Sequence, residues 1–379
     1  MEEPIRILHV LGSLNIGGAE SRIMDLYRSC DRTRIQFDFA IHTAAHTYYE
    51  TEAENLGGRI YRLPRFRFWN YFSYCRAWKR LFQEHPEFTA VHGHMTSTAS
   101  IYLPIAKKAG IPLTIAHARS AGVDRGPKGW LTRLLRKNLG KKADCCLACS
   151  DLAAEAVFGK TMTKQGKVWI LPNTIRAGLY RYREEERNRM RKELGVEDSF
   201  VVGHVGRFHP CKNHLYLLEI FEQLHKRKPE AKLVLLGEGE QMEHIREMAK
   251  EKQLQEQVLF LGNHTDIQKY YQAFDSFVFP SFYEGMPGSV VEAQASGLPC
   301  FVSDRITREV AFTDLVSFLD IGLPASAWAE KILERGENTR RDYYEQVVAA
   351  GFDAGRQAEL LQQFYCTGKF QQASEGLKA

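Results

Sequence analysis

The sequence predicts an α/β chain of two doubly wound, Rossmann-like domains facing each other across a cleft. Three observations carry that expectation. Short apolar runs alternate with longer helical stretches, the pattern of a parallel sheet covered on both faces. The series runs to about residue 170, gives way to a polar region over 176–199, and starts again near Phe200. The length, 379 residues, suits two domains of ordinary size better than one.

The first series begins with a strand over 5–11, a glycine-rich turn and a helix over 19–30. Further strands are expected over 37–41, 90–92, 113–116 and 145–148. Pro and Asn punctuate, so the join is placed at Leu171-Pro172-Asn173. That gives an N-terminal domain over 1–173 and a C-terminal domain over 174–357. The second series reads as strand 200–205, helix 215–225, strand 232–236, helix 240–252, then strands at 258–261, 276–279 and 299–302. A helix over 288–296 precedes the last of these. Residues 355–379 read as helix, and from about 358 this segment is expected to pack back on the first domain.

Composition narrows the function classes. Hydrophobic residues make up 44% and charged residues 26%, ordinary globular values that argue against disorder, collagen or coiled coil. No stretch approaches the ~18 apolar residues of a membrane-spanning helix. Met1-Glu2-Glu3-Pro4 carries acid where a signal peptide carries base. A cytoplasmic protein is expected, either soluble or peripheral on the inner face of the cell membrane. Eight cysteines in this length are no disulfide scaffold. Cys146-Leu147-Ala148-Cys149 has C-x-x-C spacing but sits in an apolar run, where thiols behave as small hydrophobes. The net charge of +5 is uneven. Residues 1–175 hold 25 Lys and Arg against 15 Asp and Glu, a net of +10, which leaves −5 for the rest. Such asymmetry points to an anionic partner for the first half, a phosphorylated ligand, an anionic membrane or nucleic acid, with a solvated basic face as the other reading.

In open parallel sheets ligands bind beyond the carboxyl ends of the strands, so the chemistry is sought in the loops that follow them. The first, Gly12 to Glu20, is neither a Walker A loop nor G-x-G-x-x-G. Its paired Gly17-Gly18 opening a helix fits an anion site or a simple tight turn. The second, Gly206 to Asn213, carries Arg207 and Lys212 out of a strand end, an arrangement that can neutralise a diphosphate. The third is Pro280-Ser281-Phe282-Tyr283-Glu284-Gly285-Met286-Pro287-Gly288-Ser289-Val290-Val291-Glu292. Pro287 is expected as the first helical residue, its missing N–H unneeded there. The amides of Gly288 and Ser289 then form an anion site at the helix start. Glu284 and Glu292 suit vicinal hydroxyls of a ribose or hexose, because a carboxylate accepts two hydrogen bonds.

These segments together resemble a known pattern. Gly17-Gly18-Ala19-Glu20, Val205-Gly206-Arg207 with Lys212-Asn213, and Pro280-Ser281 through Glu284-Gly285-Met286-Pro287 to Glu292-Ala293, with Gly297-Leu298-Pro299, look like the retaining, nucleotide-sugar-dependent glycosyltransferases of family 4 with the GT-B fold. The match runs over nearly the whole chain. The stretch from Glu292 to Pro299, with Ser303-Asp304 and Ile306-Thr307, is most like the branch that builds bacterial exopolysaccharide and capsular polysaccharide.

The resemblance implies roles. Arg207 and Lys212 correspond to the pair that grips the donor diphosphate. Glu292 corresponds to the glutamate on the ribose hydroxyls and Glu284 to the one facing the donor sugar. Gly285, Met286, Pro287, Gly288 and Ser289 line the donor between them. Gly17 and Gly18 correspond to a loop over the phosphates, and His117 to a histidine near the transferred sugar. His92 and His94 are weaker candidates. His92-x-His94 suggests metal, but the sequence places no carboxylate or Cys nearby to complete a site. No Asp-x-Asp occurs in the chain, and no metal or other cofactor is expected. Gly288 departs from the family, which commonly has a bulkier apolar residue there.

The expected partners are a nucleoside diphosphate sugar, a UDP-sugar first, and an acceptor that is a saccharide or a lipid-linked saccharide. An anionic membrane surface is a further one, with no nucleic acid. The segment Arg62 to Phe72 interleaves cations with aromatics, and Lys128 to Lys137 sets Trp130, Leu131, Leu134 and Leu135 beside a basic face, as interfacial helices do. An ordinary amphipathic helix packed on its own domain is the other reading of that second segment. Two other functions share the fold: a sugar-nucleotide 2-epimerase and a non-catalytic nucleotide-sugar-binding protein.

Overall fold

The structure is a computed structural model that describes residues 3–119, 127–335 and 340–370. Ser120 and the expected helical stretch 371–379 lie outside the described residues. The chain forms two compact units. One comprises the chain up to Thr174 together with the segment from Gly351 onward, and the other runs from Ile175 to Ala350.

In the first unit the strands are β1 (Ile5–Val10), β2 (Ile35–Ile41), β3 (Ile60–Arg62), β4 (Phe88–Gly93), β5 (Leu113–Ala118), β6 (Cys145–Ala148) and β7 (Trp169–Ile170). They make one sheet in the order β3-β2-β1-β4-β5-β6-β7, with every neighbouring pair parallel. Central strands of such a sheet are covered on both faces, so they read as continuous apolar runs. Phe37, Phe39 and Ile41 of β2 and Ile7 of β1 are fully buried accordingly. Cys146 and Cys149 are buried in and beside β6, all eight cysteines are free, and burial pushes the Cys146 thiol up to about 12.

The return segment is the helix Ala354–Thr367. Asp353 caps it by accepting from the amides of Gly355 and Arg356, and it ends at Gly368, whose φ of 69° is a left-handed stop. Ala358, Leu361, Phe364 and Tyr365 recur at helical spacing and enter the core around β1 and β2. Each large apolar side chain buried this way contributes about 1.5–3 kcal/mol. Through this helix the segment Ala354–Thr367 is built into the unit that holds β1 and β2.

In the second unit β8 (Val201–Val205), β9 (Lys232–Leu236), β10 (Val258–Gly262), β11 (Ser276–Phe279), β12 (Cys300–Ser303) and β13 (Val316–Leu319) form a parallel sheet in the order β10-β9-β8-β11-β12-β13. The order is that of a doubly wound dinucleotide-binding sheet. Among the described residues no helix is long and apolar enough to cross a membrane.

Candidate active site

In the second unit the strand order reverses between β8 and β11, which pair directly. The connections leaving those two strands go to opposite sides, and the crevice so opened is where doubly wound sheets take ligands. Both of the loops singled out in this half leave from that point. The loop after β8 lies on the loop after β9. A Cβ on Gly237 (φ 133°) would stand 2.2 Å from the Gly206 carbonyl oxygen, so only glycine lets the two backbones approach. The Phe208 amide donates to Glu238 O at 3.0 Å. His209 accepts from the Cys211 amide, and Asn213 takes a left-handed φ of 58° to start the helix His214–Arg227. The Phe282 amide donates to Cys211 O at 2.8 Å, tying the loop after β8 to the loop after β11.

This seam brings Lys212 to Glu284, with Nζ 2.6 Å from Oε1 and both side chains less than one fifth exposed. The approach is an ion contact without hydrogen-bond geometry, and Glu284 Oε1 keeps an unmet bonding capacity in a buried position. Lys212 Nζ also lies 4.6 Å from the centroid of the Phe279 ring. Arg207, by contrast, is exposed on the loop. The two cations expected to act together therefore differ: one is held by a carboxylate and one faces solvent.

The helix after this loop runs Gly288–Ala295. Pro287, expected as its first residue, is instead the N-cap, with extended backbone (φ −74°, ψ 105°). The Val290 amide bonds back to Pro287 O at 3.1 Å, while the Gly288 and Ser289 amides have no intrachain partner among the described residues. Two donors thus point out of the helix start beside Lys212's loop. Gly285, Met286 and Pro287 are buried beneath the turn. Glu292 is 2% exposed and accepts from the Tyr271 hydroxyl at 2.8 Å; the same hydroxyl lies 3.1 Å from Ser289 O. Tyr271 comes from the helix Ile267–Ala273 and orients the carboxylate.

In the first unit, strand register assembles the imidazoles. His9 on β1 pairs with His92 on β4, and His117 follows on β5. His92 Nδ1 lies 2.6 Å from the Tyr365 hydroxyl and its Nε2 lies 2.9 Å from His117 Nδ1. His9 Nδ1 and His94 Nε2 are 3.0 Å apart, and Arg119 Nε donates to His94 Nδ1 at 3.4 Å. His9, His92 and His117 are at most 1% exposed. His9, His92 and His94 place one ring nitrogen each within 4.8 Å, so a third imidazole, which the sequence reading overlooked, does join the His92-x-His94 pair. Both nitrogens of His92 are engaged, however, and a guanidinium stands beside His94, an arrangement that disfavours a cation. Gly17 is the N-cap of the helix Gly18–Ser29; a Cβ there would stand 2.5 Å from Glu20 Oε2, while Gly18 has open space around it.

Burial pushes all four histidines down, His9 to about 3, with the Arg119 charge adding to the effect. The unfolded chain protonates them near 6.5. Below that pH the unfolded state takes up protons that the folded core refuses, so stability falls with falling pH. His9 alone costs about 2 kcal/mol at pH 5 by this linkage. The melting temperature should drop between pH 7 and pH 5, and less so in His9→Phe, which removes that proton uptake.

Four contributors escaped the sequence reading: His9, Tyr271, Tyr365 and Gly237. His9 sat in the first strand, one residue before its end, and that position was its only signal. The others act across long sequence separations that no local pattern reports.

Two parallel-sheet Rossmann-like units, each with its strand-order reversal beside a cation-bearing or histidine-bearing strand end, are the architecture of the GT-B class. The chain belongs to the group 1 glycosyl transferases: that family's model matches residues 186–347, and a glycosyl transferase 4-like domain matches residues 17–174. EpsF of Bacillus subtilis (strain 168), which bears a glycosyltransferase name, is 35% identical over 369 residues, covering 95% of this chain and 96% of that one. The UDP-Gal:alpha-D-GlcNAc-diphosphoundecaprenol alpha-1,3-galactosyltransferase of Escherichia coli is 30% identical over 226 residues, 58% of each chain. Among solved structures, Anabaena HepE in complex with UDP and glucose matches with a TM-score of 0.77 at 18% identity, over 96% of this chain and 100% of that one.

Proposed function

We propose that the protein is a retaining, family 4 glycosyltransferase that moves a sugar from a UDP-sugar to a lipid-linked saccharide during exopolysaccharide or capsule synthesis. The observation that carries the reading is the seam between the loops after β8 and β11. It sets a lysine, two unpartnered helix-start amides, the buried Glu292 and the partly buried Glu284 around one strand-order reversal. The nucleotide, lipid-linked acceptor and pathway are suggested by the names of the relatives in Escherichia coli and Bacillus subtilis and of the Staphylococcus aureus capsular protein CapH.

Charge grows on the diphosphate as the glycosidic bond breaks. Lys212, Arg207 and the amides of Gly288 and Ser289 meet that charge, with Gly17 and Gly18 assigned to the same phosphates. Preorganised donors aimed at developing charge are among the largest catalytic effects. Glu292 holds the ribose, Glu284 the sugar hydroxyls, and His117 the transferred sugar. A metal would supply the same neutralisation, but no Asp-x-Asp pair stands ready to hold one. The test is a thermal-shift screen of UDP-, GDP- and ADP-sugars, followed by transfer to a lipid-linked acceptor in excess EDTA. A UDP-sugar should raise the melting temperature most, and EDTA should leave turnover within about twofold. Complete loss in EDTA with rescue by Mg²⁺ would overturn the assignment of charge neutralisation to these residues.

The acceptor's lipid suggests a membrane-facing surface. Phe68, Trp69 and Phe72 are 76%, 79% and 82% exposed, next to the exposed Arg65 and Arg67. The second basic segment contributes Trp130 and Leu134, but not Arg136, which donates to Thr96 Oγ1 and is partly buried. Changing Arg65 and Arg67 to Glu, with Trp69→Ala and Phe72→Ala, should abolish cosedimentation with vesicles containing phosphatidylglycerol and spare UDP affinity. Binding that ignores lipid charge and these substitutions would refute the surface.

A further inference from the structure

The histidine cluster carries a direction of polarity that fixes where its protons sit. Tyr365 has one hydroxyl proton, and among the described residues its hydroxyl has one hydrogen-bond partner, His92 Nδ1 at 2.6 Å. If His92 Nδ1 carried a proton and donated it, the Tyr365 proton would be buried with no acceptor. A buried unmet donor costs about 1–3 kcal/mol. Tyr365 therefore donates to His92 Nδ1. A neutral imidazole carries a single proton, so that of His92 is on Nε2. It donates to His117 Nδ1 at 2.9 Å, and the proton of His117 is left on Nε2. That nitrogen is fully buried and has no hydrogen-bond partner among the described residues. The opposite polarity orphans two groups, the Tyr365 hydroxyl proton and the His117 Nε2 lone pair, where this one orphans a single N–H.

We infer that Tyr365 and His92 are positioning residues that hold His117 as an Nε2–H donor for an acceptor oxygen on the transferred sugar, a hydroxyl or an N-acetyl carbonyl. The inference rests on the proposed role of His117. It also gives the return helix Ala354–Thr367 a use beyond packing, since that helix supplies the hydroxyl that sets the polarity. Asn and Gln can imitate such a relay, because an amide pairs an acceptor oxygen with a donor nitrogen. His92→Gln keeps the polarity: Oε1 accepts from Tyr365 and the amide N–H donates to His117. His92→Leu and Tyr365→Phe break it.

The decisive measurement is a two-bond ¹H–¹⁵N correlation spectrum of the full chain labelled at histidine, with His117→Ala assigning the signal. His117 should appear as the Nε2–H form in the wild type and in His92→Gln. In Tyr365→Phe and His92→Leu the Nδ1–H form should appear. An Nδ1–H His117 in the wild type overturns the inference, whatever the protein's function. The consequence for function is read separately by calorimetry with UDP and with UDP-glucose, UDP-galactose and UDP-N-acetylglucosamine. Tyr365→Phe and His92→Leu should weaken the sugar nucleotide that binds best by about 3- to 10-fold, the size of one neutral hydrogen bond. UDP itself should be unaffected, and His92→Gln should match the wild type. If the spectra show the expected forms but sugar and bare nucleotide weaken together, the relay is structural and the role of His117 at the sugar fails.

Discussion

Lys212→Ala is expected to weaken binding of UDP by about 10- to 100-fold. The lost contact is a charge-assisted one to phosphate, worth about 1.5–3 kcal/mol. Part of that is offset in the wild type, because Lys212 already neutralises Glu284 at 2.6 Å. The size of the offset is itself measurable. Glu284→Gln removes the competing carboxylate and should leave UDP affinity unchanged or higher, while lowering discrimination among UDP-sugars. Combining it with Lys212→Ala should then show the larger loss expected of an unshared lysine. Arg207→Ala should cost less than Lys212→Ala, since an exposed charge is screened by water and salt. Calorimetric titration with UDP reads the wild type and all four variants. Equal affinity in the wild type and Lys212→Ala would remove the loop after β8 from the donor site.

Glu292→Gln should weaken UDP by about 10-fold or more, through a different partner. Its carboxylate is 2% exposed and anchored by Tyr271 at 2.8 Å, so it cannot swing away to solvent. A hydrogen bond from a ribose hydroxyl to a charged acceptor is worth about 1.5–3 kcal/mol, and the amide loses the charge. The loss should shrink when the probe is 2′,3′-dideoxy-UDP, which has no hydroxyls to lose. Tyr271→Phe keeps the carboxylate but frees its orientation, and should fall between the wild type and Glu292→Gln. A Glu292→Gln loss of the same size against both probes would place this glutamate somewhere other than the ribose.

Much of the fold was legible because central parallel strands bury both faces. β1, β5, β6, β8, β9, β11 and β12 all stand out as apolar runs bounded by turn residues. The strands that escaped, β3, β7 and β13, are sheet edges of three, two and four residues. An edge strand pairs on one side only and needs no continuous apolar run, so its sequence carries a weak signal. The same distinction holds at the site. Arg207, Lys212, Glu284 and Glu292 were visible because they lie at fixed offsets from strand ends and from a Pro-Gly helix start. Pro287 was misplaced by one position: propensity favours proline as the first helical residue, whereas here its backbone is extended and it stands at the cap.

The order of strands and loops along the chain, and hence the two-domain class and the residue types at each strand end, were determined by the sequence itself. Those depend on patterns a few residues long: apolar periodicity, glycine and proline punctuation, charge at a loop. Only the tertiary structure decided which of those residues meet. Lys212 closes on Glu284 across 72 positions, Tyr271 anchors Glu292, and Tyr365 reaches back to His92 across 273 positions. Hydrogen bonds and ion contacts act over about 3 Å, and no local pattern encodes which distant segments the sheet order will bring that close.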